Sequence, residues 1–483
     1  MSHRMIKNSP ILLISCYELG HPSFGLALLS GLLDSAGFTV ETLDLAVEPF
    51  DKAKIARAQF LGISVPMHTA LRIGVKAARA AKKINPNIPI AFFGLYASLN
   101  ESFLLENFDF VIGGEYEGPF LQLVQSDFQD NDTAVIGVSR KGRMVAPNLK
   151  SIPFQKPSRA TFPPLSKYAH LERDGGRFPV GYVEASRGCR HLCRHCPIPP
   201  VYNGRFTVIR EEILLEDIRA QVDLGATHIT FGDPDFLNGP NHSMNIARKM
   251  HQAFPELTFD FTAKIEHLIK YKTLIPDFAA WGCLFIISAV ESLSDVVLDH
   301  LDKGHTRADV IHAIEIVHER GIALRPSLVP FTPWSTLDDY IDLFDFVGQY
   351  HLIDSIDPVQ FTIRLLVPPG SLLITESSMA KFLGEMNQES FTYQWVHPDP
   401  RMDQLQVAVS ELVEEGGCDG DLFYRLKECA LAMREGRPAR PVDQTGWAHA
   451  PTKKPPRLTE SWFCCAEPTQ NQMACIDGID DGK

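Results

Sequence analysis

Short apolar runs alternate with helical stretches from Ile11 to about Val138: ILLIS, GLALLSGLLDSAG, TVETLDL, FLGISV, RIGVKAARAAKKI, PIAFFG and FVIGG. This alternation predicts an α/β front domain over residues 1–145, a Rossmann-like doubly wound parallel sheet. Ligands are expected at the carboxyl ends of its strands. Those ends fall at Cys16 to Gly25, Ser64 to His68, Gly94 to Ser98 and Gly113 to Gly118. Residues 146–178, rich in proline, lysine and serine, are expected to be a linker.

A second alternating series then begins. GYVEAS leads into a cysteine loop, FTVIREEILLEDIRAQVDLG supplies a helix, and THITFGDPDF, LTFDFTAKIE, CLFIISAVES, IALRPSLVPF and PVQFTIRLLVP follow as strands. Six strands with helical crossovers predict a partial (β/α)6 barrel of the TIM type over residues 179–385, its strand ends turned toward the cysteine loop. Residues 386–436 read as mainly helical, through VAVSELVEE and LFYRLKECALAMREG. Residues 437–483 read as a proline-rich extended connector, not a core element, followed by a cysteine-containing tail.

The cysteine loop, EASRGCRHLCRHCP, carries Cys189, Cys193 and Cys196. Three thiolates at this spacing can hold three irons of a [4Fe–4S] cluster and leave the fourth open. An open iron can take the amino and carboxylate groups of S-adenosylmethionine, which an electron carrier closed by a fourth cysteine cannot do. A zinc site is the competing reading. Zinc prefers four ligands, usually drawn as two short-spaced pairs, so this lone CxxxCxxC lacks its second half unless His191 or His195 completes it.

Composition narrows the partners. The 483-residue chain carries a formal charge of -13, which disfavours nucleic acid and anionic membranes as partners. The apolar stretch Ile11 to Leu33 is broken by Glu18, His21 and Pro22, so neither a signal peptide nor a membrane span is expected. Ten cysteines, scattered outside two clusters, fit a reducing compartment, and a cytoplasmic location is expected.

With Gly188 before the cysteine motif and His195 within it, the loop resembles that of the radical S-adenosylmethionine (radical SAM) superfamily. The front domain, down to GGEYEG at Gly113 to Gly118, is similar to the cobalamin-binding domain that precedes many radical SAM domains. The Asp-x-His-x-x-Gly motif that supplies a lower cobalt ligand in many such domains is absent, and His21 in GHPSFG is a near miss. The resemblance therefore leaves cobalamin open.

The resemblance also implies a cofactor site at the barrel's strand ends, with His195 in the cluster loop among its members. Asp233 and Asp235 in FGDPDF stand where the family contacts the amino group of S-adenosylmethionine, although a helix cap would explain them equally well. Lys264, Glu266, Glu291 and Ser292 stand where its carboxylate or ribose is commonly held. Arg325 and Arg364 could each bind a carboxylate bidentately or pair inside the barrel. LDKGHT at Leu301 to Thr306 is also family-like, but a surface helix end would account for it.

The tail, PRLTESWFCCAEPTQNQMAC, holds adjacent Cys464 and Cys465 and then Cys475. It resembles the ending of a group of radical SAM proteins with CCAEP tails. Adjacent thiols are poor partners for a relaxed disulfide but good soft ligands, and three would suit pyramidal trivalent arsenic. A thiol redox switch is the main alternative. The resemblance extends to CCAEP-tail chemistry in arsinothricin biosynthesis. It implies transfer of a 3-amino-3-carboxypropyl group to tail-bound arsenite, forming hydroxyarsinothricin, with a reductant such as flavodoxin or ferredoxin. Two rivals are a 5′-deoxyadenosyl-radical or cobalamin-dependent methylase acting on an organic substrate, and a thiol-based metalloid sensor or carrier.

Overall fold

The computed structural model describes residues 9–126, 135–150, 154–417, 419–441 and 454–460. The tail candidates Cys464, Cys465 and Cys475 lie outside the described residues. The front sheet comprises β1 (Ile11–Ser15), β2 (Val40–Asp44), β3 (Phe60–Ser64), β4 (Ile90–Phe93), β5 (Phe110–Ile112) and β6 (Val138–Arg140). Its order is β2-β1-β3-β4-β5-β6, parallel except for β6. The strands read as continuous apolar runs because helices cover both faces. The helix His68–Ile84 packs on one face, and the helices Phe24–Ser35 and Glu117–Gln125 on the other. Phe24 and Leu28 from the same helix also enter the core of the barrel, so the two domains share packing.

The barrel sheet is built from β7 (His170–Arg173), β8 (Gly176–Val183), β11 (His228–Phe231), β12 (Thr258–Ala263), β13 (Cys283–Glu291), β14 (Ala323–Leu328) and β17 (Arg457–Leu458). Its order is β14-β13-β12-β11-β8-β7-β17. The strands from β8 through β14 run parallel, while β7 and β17 are antiparallel additions at one edge. A short ribbon of β9 (Ser186–Gly188) and β10 (Phe206–Val208) leads into and out of the cysteine loop. The C-terminal region opens with a hairpin of β15 (Leu383–Asn387) and β16 (Thr392–Trp395), then continues in the helices Pro400–Glu415 and Asp419–Glu435.

Three sequence-based expectations need correcting. The sixth barrel strand, expected in PVQFTIRLLVP, is a 3-10 turn over Pro358–Phe361 followed by an isolated bridge between Arg364 and Phe331. Pro358 lacks an amide hydrogen and opens the turn, and the Gln360 side chain accepts from the Leu328 amide at 2.9 Å, where a sixth strand's carbonyl would stand. The expected linker contains β7 and the start of β8, because HLERDGGRF turns at Asp174 and Gly175, both left-handed. The expected connector is not wholly a connector: β17 pairs with β7, Arg457 opposite Glu172, and Leu458 packs with Leu171, Phe285 and Ile287. Among the described residues no helix is long and apolar enough to cross a membrane.

Candidate active site

The cysteine loop is closed by a glycine that nothing else could replace. Gly188 has φ +77°, and a Cβ there would overlap the Arg205 carbonyl. Beyond it Cys189 and Cys193 are buried and Cys196 is half-buried. The Cys196 amide donates to the Cys193 carbonyl at 3.2 Å, and Asn238 Nδ2 donates to Cys189 Sγ at 3.5 Å. Three free thiols on one short loop, one of them accepting an amide N–H, fit a four-iron cluster with one iron unclaimed by the loop.

Two hydrogen-bonded groups flank the loop. On one side Lys264 Nζ lies 3.1 Å from His191 Nδ1 and 3.5 Å from Glu266 Oε2. His191 Nε2 then meets His267 Nε2 at 3.3 Å, and His267 Nδ1 meets Asp235 Oδ2 at 2.6 Å. One set of tautomers lets Lys264 donate to His191 and His191 to His267, whose Nδ1 faces Asp235 Oδ2 as an ion-pair contact outside hydrogen-bond geometry. Burial works to raise the Asp235 carboxyl, but the two imidazoles outweigh it and hold it below the usual range. His191, Asp235 and His267 also have their ligand atoms within 4.8 Å of one another. The Lys264 ammonium beside His191 Nδ1 opposes a cation on that ring.

On the other side Glu291 Oε1 sits 3.3 Å from His195 Nε2 and 3.1 Å from Lys303 Nζ. Burial disfavours the Glu291 charge, yet Lys303 and His195 outweigh it and hold the carboxyl at about 2. Glu291 itself has φ +62°, a conformation that a residue with a side chain adopts only when its surroundings impose it.

The front domain closes over this end of the barrel. Arg187, on β9 just before the cysteines, pairs with Glu117 at 2.6 Å and Glu115 at 3.5 Å, both in GGEYEG, and lies 4.7 Å over the Tyr116 ring. Tyr96, on the short helix Leu95–Leu99 that follows β4, shares a crevice of about 10 Å³ with His195, Val329 and Arg364, room for roughly one water. His21 stacks on Tyr182 of the barrel at 4.7 Å, and burial followed by the neighbouring His228 pushes it down to about 3, so it is neutral. Leu19 stands where the usual motif has its aspartate. Among the described residues, then, the loop after β1 does not present a histidine–aspartate pair set up below a cobalt.

Known proteins match along the same divisions. The B12 binding domain family matches residues 10–124, and the Radical SAM superfamily matches residues 183–347. The chain carries a radical SAM domain behind a B12-binding domain. A radical SAM domain implies a [4Fe–4S] cluster and S-adenosylmethionine. Its fold resembles that of OxsB, a cobalamin-dependent S-adenosylmethionine radical enzyme, at TM-score 0.66 and 15% identity, over 87% of this chain and 72% of that one. It also resembles TsrM from Kitasatospora setae, a radical S-adenosylmethionine methyltransferase, at TM-score 0.57 and 18% identity, over 71% of this chain and 72% of that one. A Methanocaldococcus jannaschii protein bearing a methylthiotransferase name is 24% identical over 403 residues, 78% of this chain and 82% of that protein.

The structure brings some of the sequence-based candidates together and assigns others elsewhere. His195 and Glu291 meet, as do Lys264 and Glu266, with Asp235 joined to the latter pair through two histidines. Asp235 also caps the turn Phe236–Asn238 by accepting from the Leu237 amide at 3.0 Å. Asp233 accepts from the Ala185 amide at 2.8 Å and Ser186 Oγ at 2.5 Å, so it fastens the strand leading to the cysteines. Ser292 Oγ accepts from the Ser294 amide at 3.1 Å. Arg325 pairs with Asp357 at 3.0 Å, and Arg364 pairs with Asp403 at 2.6 Å while lying 3.6 Å over the Trp395 ring. Sequence reasoning passed over Asn238, His267 and Arg187, and left Lys303 open between a family-like fragment and a surface helix end. The LDKGHT fragment was the available signal for Lys303; nothing in the local pattern marked Asn238 or His267.

Proposed function

We propose that this radical SAM enzyme transfers a group between the cluster end of the barrel and the front-domain strand ends, onto a soft acceptor presented by the tail cysteines. The observation that carries this reading is the course of the chain just before the tail. Strand β17 adds to β7 with Arg457 3.0 Å from Glu172, and Tyr17 donates to Glu460 at 2.6 Å. Tyr17 and Gly20, whose Cα faces Glu460, belong to the ligand-side loop after β1. Cys464 follows Glu460 by four residues, a reach of at most about 14 Å. Glu460, four residues before Cys464, thereby lies at the seam between the two domains.

When bound, the cluster supplies the electron that cleaves S-adenosylmethionine, and the open iron would receive its amino and carboxylate groups. Cys189, Cys193 and Cys196 would hold the cluster. Lys264 and Glu266 on one side and Glu291 with His195 on the other offer charges of both signs to the methionine moiety and the ribose. Cobalamin would be held at the front-domain strand ends, where it would supply methyl-transfer chemistry.

For the transferred group, the CCAEP tail favours 3-amino-3-carboxypropyl, with arsenite as acceptor and hydroxyarsinothricin as product. The B12-binding domain and the likeness to OxsB and TsrM favour a second reading, methyl transfer dependent on cobalamin. Anaerobic incubation of the cluster-reconstituted protein with S-adenosylmethionine, a reductant and arsenite, with and without cobalamin, separates them by mass spectrometry. Methylthioadenosine with an arsenic-bearing aminobutanoate supports the first. A cobalamin-dependent methylated acceptor supports the second, and unmodified arsenite under all conditions removes the arsenic assignment. Cys464→Ser should abolish acceptor modification while leaving iron content intact; full turnover by that variant overturns the role given to the tail.

A further inference from the structure

Lys303 is 2% exposed, which rules out the surface helix end that its sequence context also allowed. The segment before it is clamped onto the cysteine loop. The Arg194 amide donates to the Leu301 carbonyl at 3.0 Å, and Arg194 Nη1 donates to the carbonyls of Asp299 and His300 at 3.2 Å each. On either side of Lys303 the backbone is left-handed, φ +53° at Asp302 and +71° at Gly304. These two reversals turn Lys303 inward, where its ammonium meets Glu291. Aspartate and glycine adopt the left-handed conformation readily, so the local sequence suits this inward course. Cys193 and Cys196 both lie close enough to favour the charged form of Lys303, after Glu291 and against burial.

We propose that Lys303 is a positioning residue for the redox chemistry: its buried ammonium sets the reduction potential of the cluster by offsetting the negative charge of the thiolate-bound irons. Cluster potentials follow net charge, hydrogen bonds to sulfur and exposure. A fixed positive charge behind the loop makes the incoming electron easier to accept, and Glu291, tied to the same ammonium, works in the opposite sense. His195 bridges the pair to the loop through its contact with Glu291.

The test is a redox titration of the full-length, cluster-reconstituted protein, following the reduced cluster by electron paramagnetic resonance and measuring iron and sulfide in each variant. Lys303→Met should shift the midpoint to more negative potential. Lys303→Arg, which keeps the charge, should stay near the wild-type value. Glu291→Gln should shift it to more positive potential. A Lys303→Met protein with full iron and an unchanged midpoint overturns the proposal. Should that variant lose iron, Lys303→Met/Glu291→Gln leaves no unpaired buried carboxylate and decides instead. A midpoint equal to that of Glu291→Gln alone overturns the proposal, and a more negative one supports it.

Discussion

The barrel and the front domain meet through the same kind of surface, the carboxyl ends of parallel strands, yet the two are furnished differently. The barrel's ends carry charges in matched sets, Glu291 with Lys303 and Glu266 with Lys264. The front domain's ends carry carboxyls that burial drives toward the neutral form. Glu18 is raised to about 8, Asp44 to about 7, and Glu115 to about 7 against the pull of Arg187. Paired charges suit a ligand that itself carries an ammonium and a carboxylate. Protonated carboxyls suit a surface that packs against another domain. Topology chose the location of both surfaces, and the supply of counter-charges decided what each can hold.

Arg187 is where the contrast is sharpest, because one guanidinium serves Glu115 and Glu117 across the seam and Glu184 on its own side. Removing it should give the largest effect. Arg187→Met leaves Glu117 buried without its 2.6 Å partner, with Glu115 still more disposed to the neutral form, and is expected to destabilise the protein by about 3–5 kcal/mol, measured by denaturant unfolding. An unfolding midpoint like that of the wild type would show that the front domain's carboxyls do not depend on the barrel for their charge balance.

A pH series sharpens the other half. Because the Glu18 carboxyl is raised from 4.5 to about 8, the folded protein keeps a proton that the unfolded chain gives up above 4.5. Its contribution to stability is therefore fully present below pH 4.5 and falls as pH rises toward 8. Glu18→Gln, which mimics the protonated form and can still meet Ser23, should flatten that part of the stability profile and gain most near pH 8. Thermal unfolding at pH 5 and pH 8 checks this; identical slopes for both proteins would show that Glu18 is ionised at neutral pH.

The smallest expected effect lies at the tail anchor. Tyr17→Phe removes the hydrogen bond to Glu460 and should cost about 1 kcal/mol or less in global stability. Its larger consequence should be a lower yield of modified acceptor at unchanged S-adenosylmethionine cleavage, read from the product ratio. An unchanged ratio would mean that the anchor does not direct the tail.

Much of the architecture was legible because it follows from periodicity. The front strands from β1 to β5 appear where ILLIS, TVETLDL, FLGISV, PIAFFG and FVIGG stand, since each apolar run is buried on both faces. The expected sixth barrel strand failed because periodicity does not weigh Pro358, or a Gln360 side chain that takes over a backbone partner. Strand β17 was missed because two residues in a proline-rich stretch carry no pattern of their own; Leu458 is ordered by the apolar side chains of Leu171, Phe285 and Ile287.

The sequence by itself determined which cysteines share one short loop, the order of the domains and where the front strands end. Cysteine spacing and hydrophobic period are local properties that survive without a fold. Only the tertiary structure decided which charged residues share a site. Glu291 and Lys303 come together across a reversed turn, and His191, His267 and Asp235 converge from three separate segments. Charge pairing depends on distances between residues remote along the chain, and burial, which sets how strongly each pair interacts, exists only once the chain has folded.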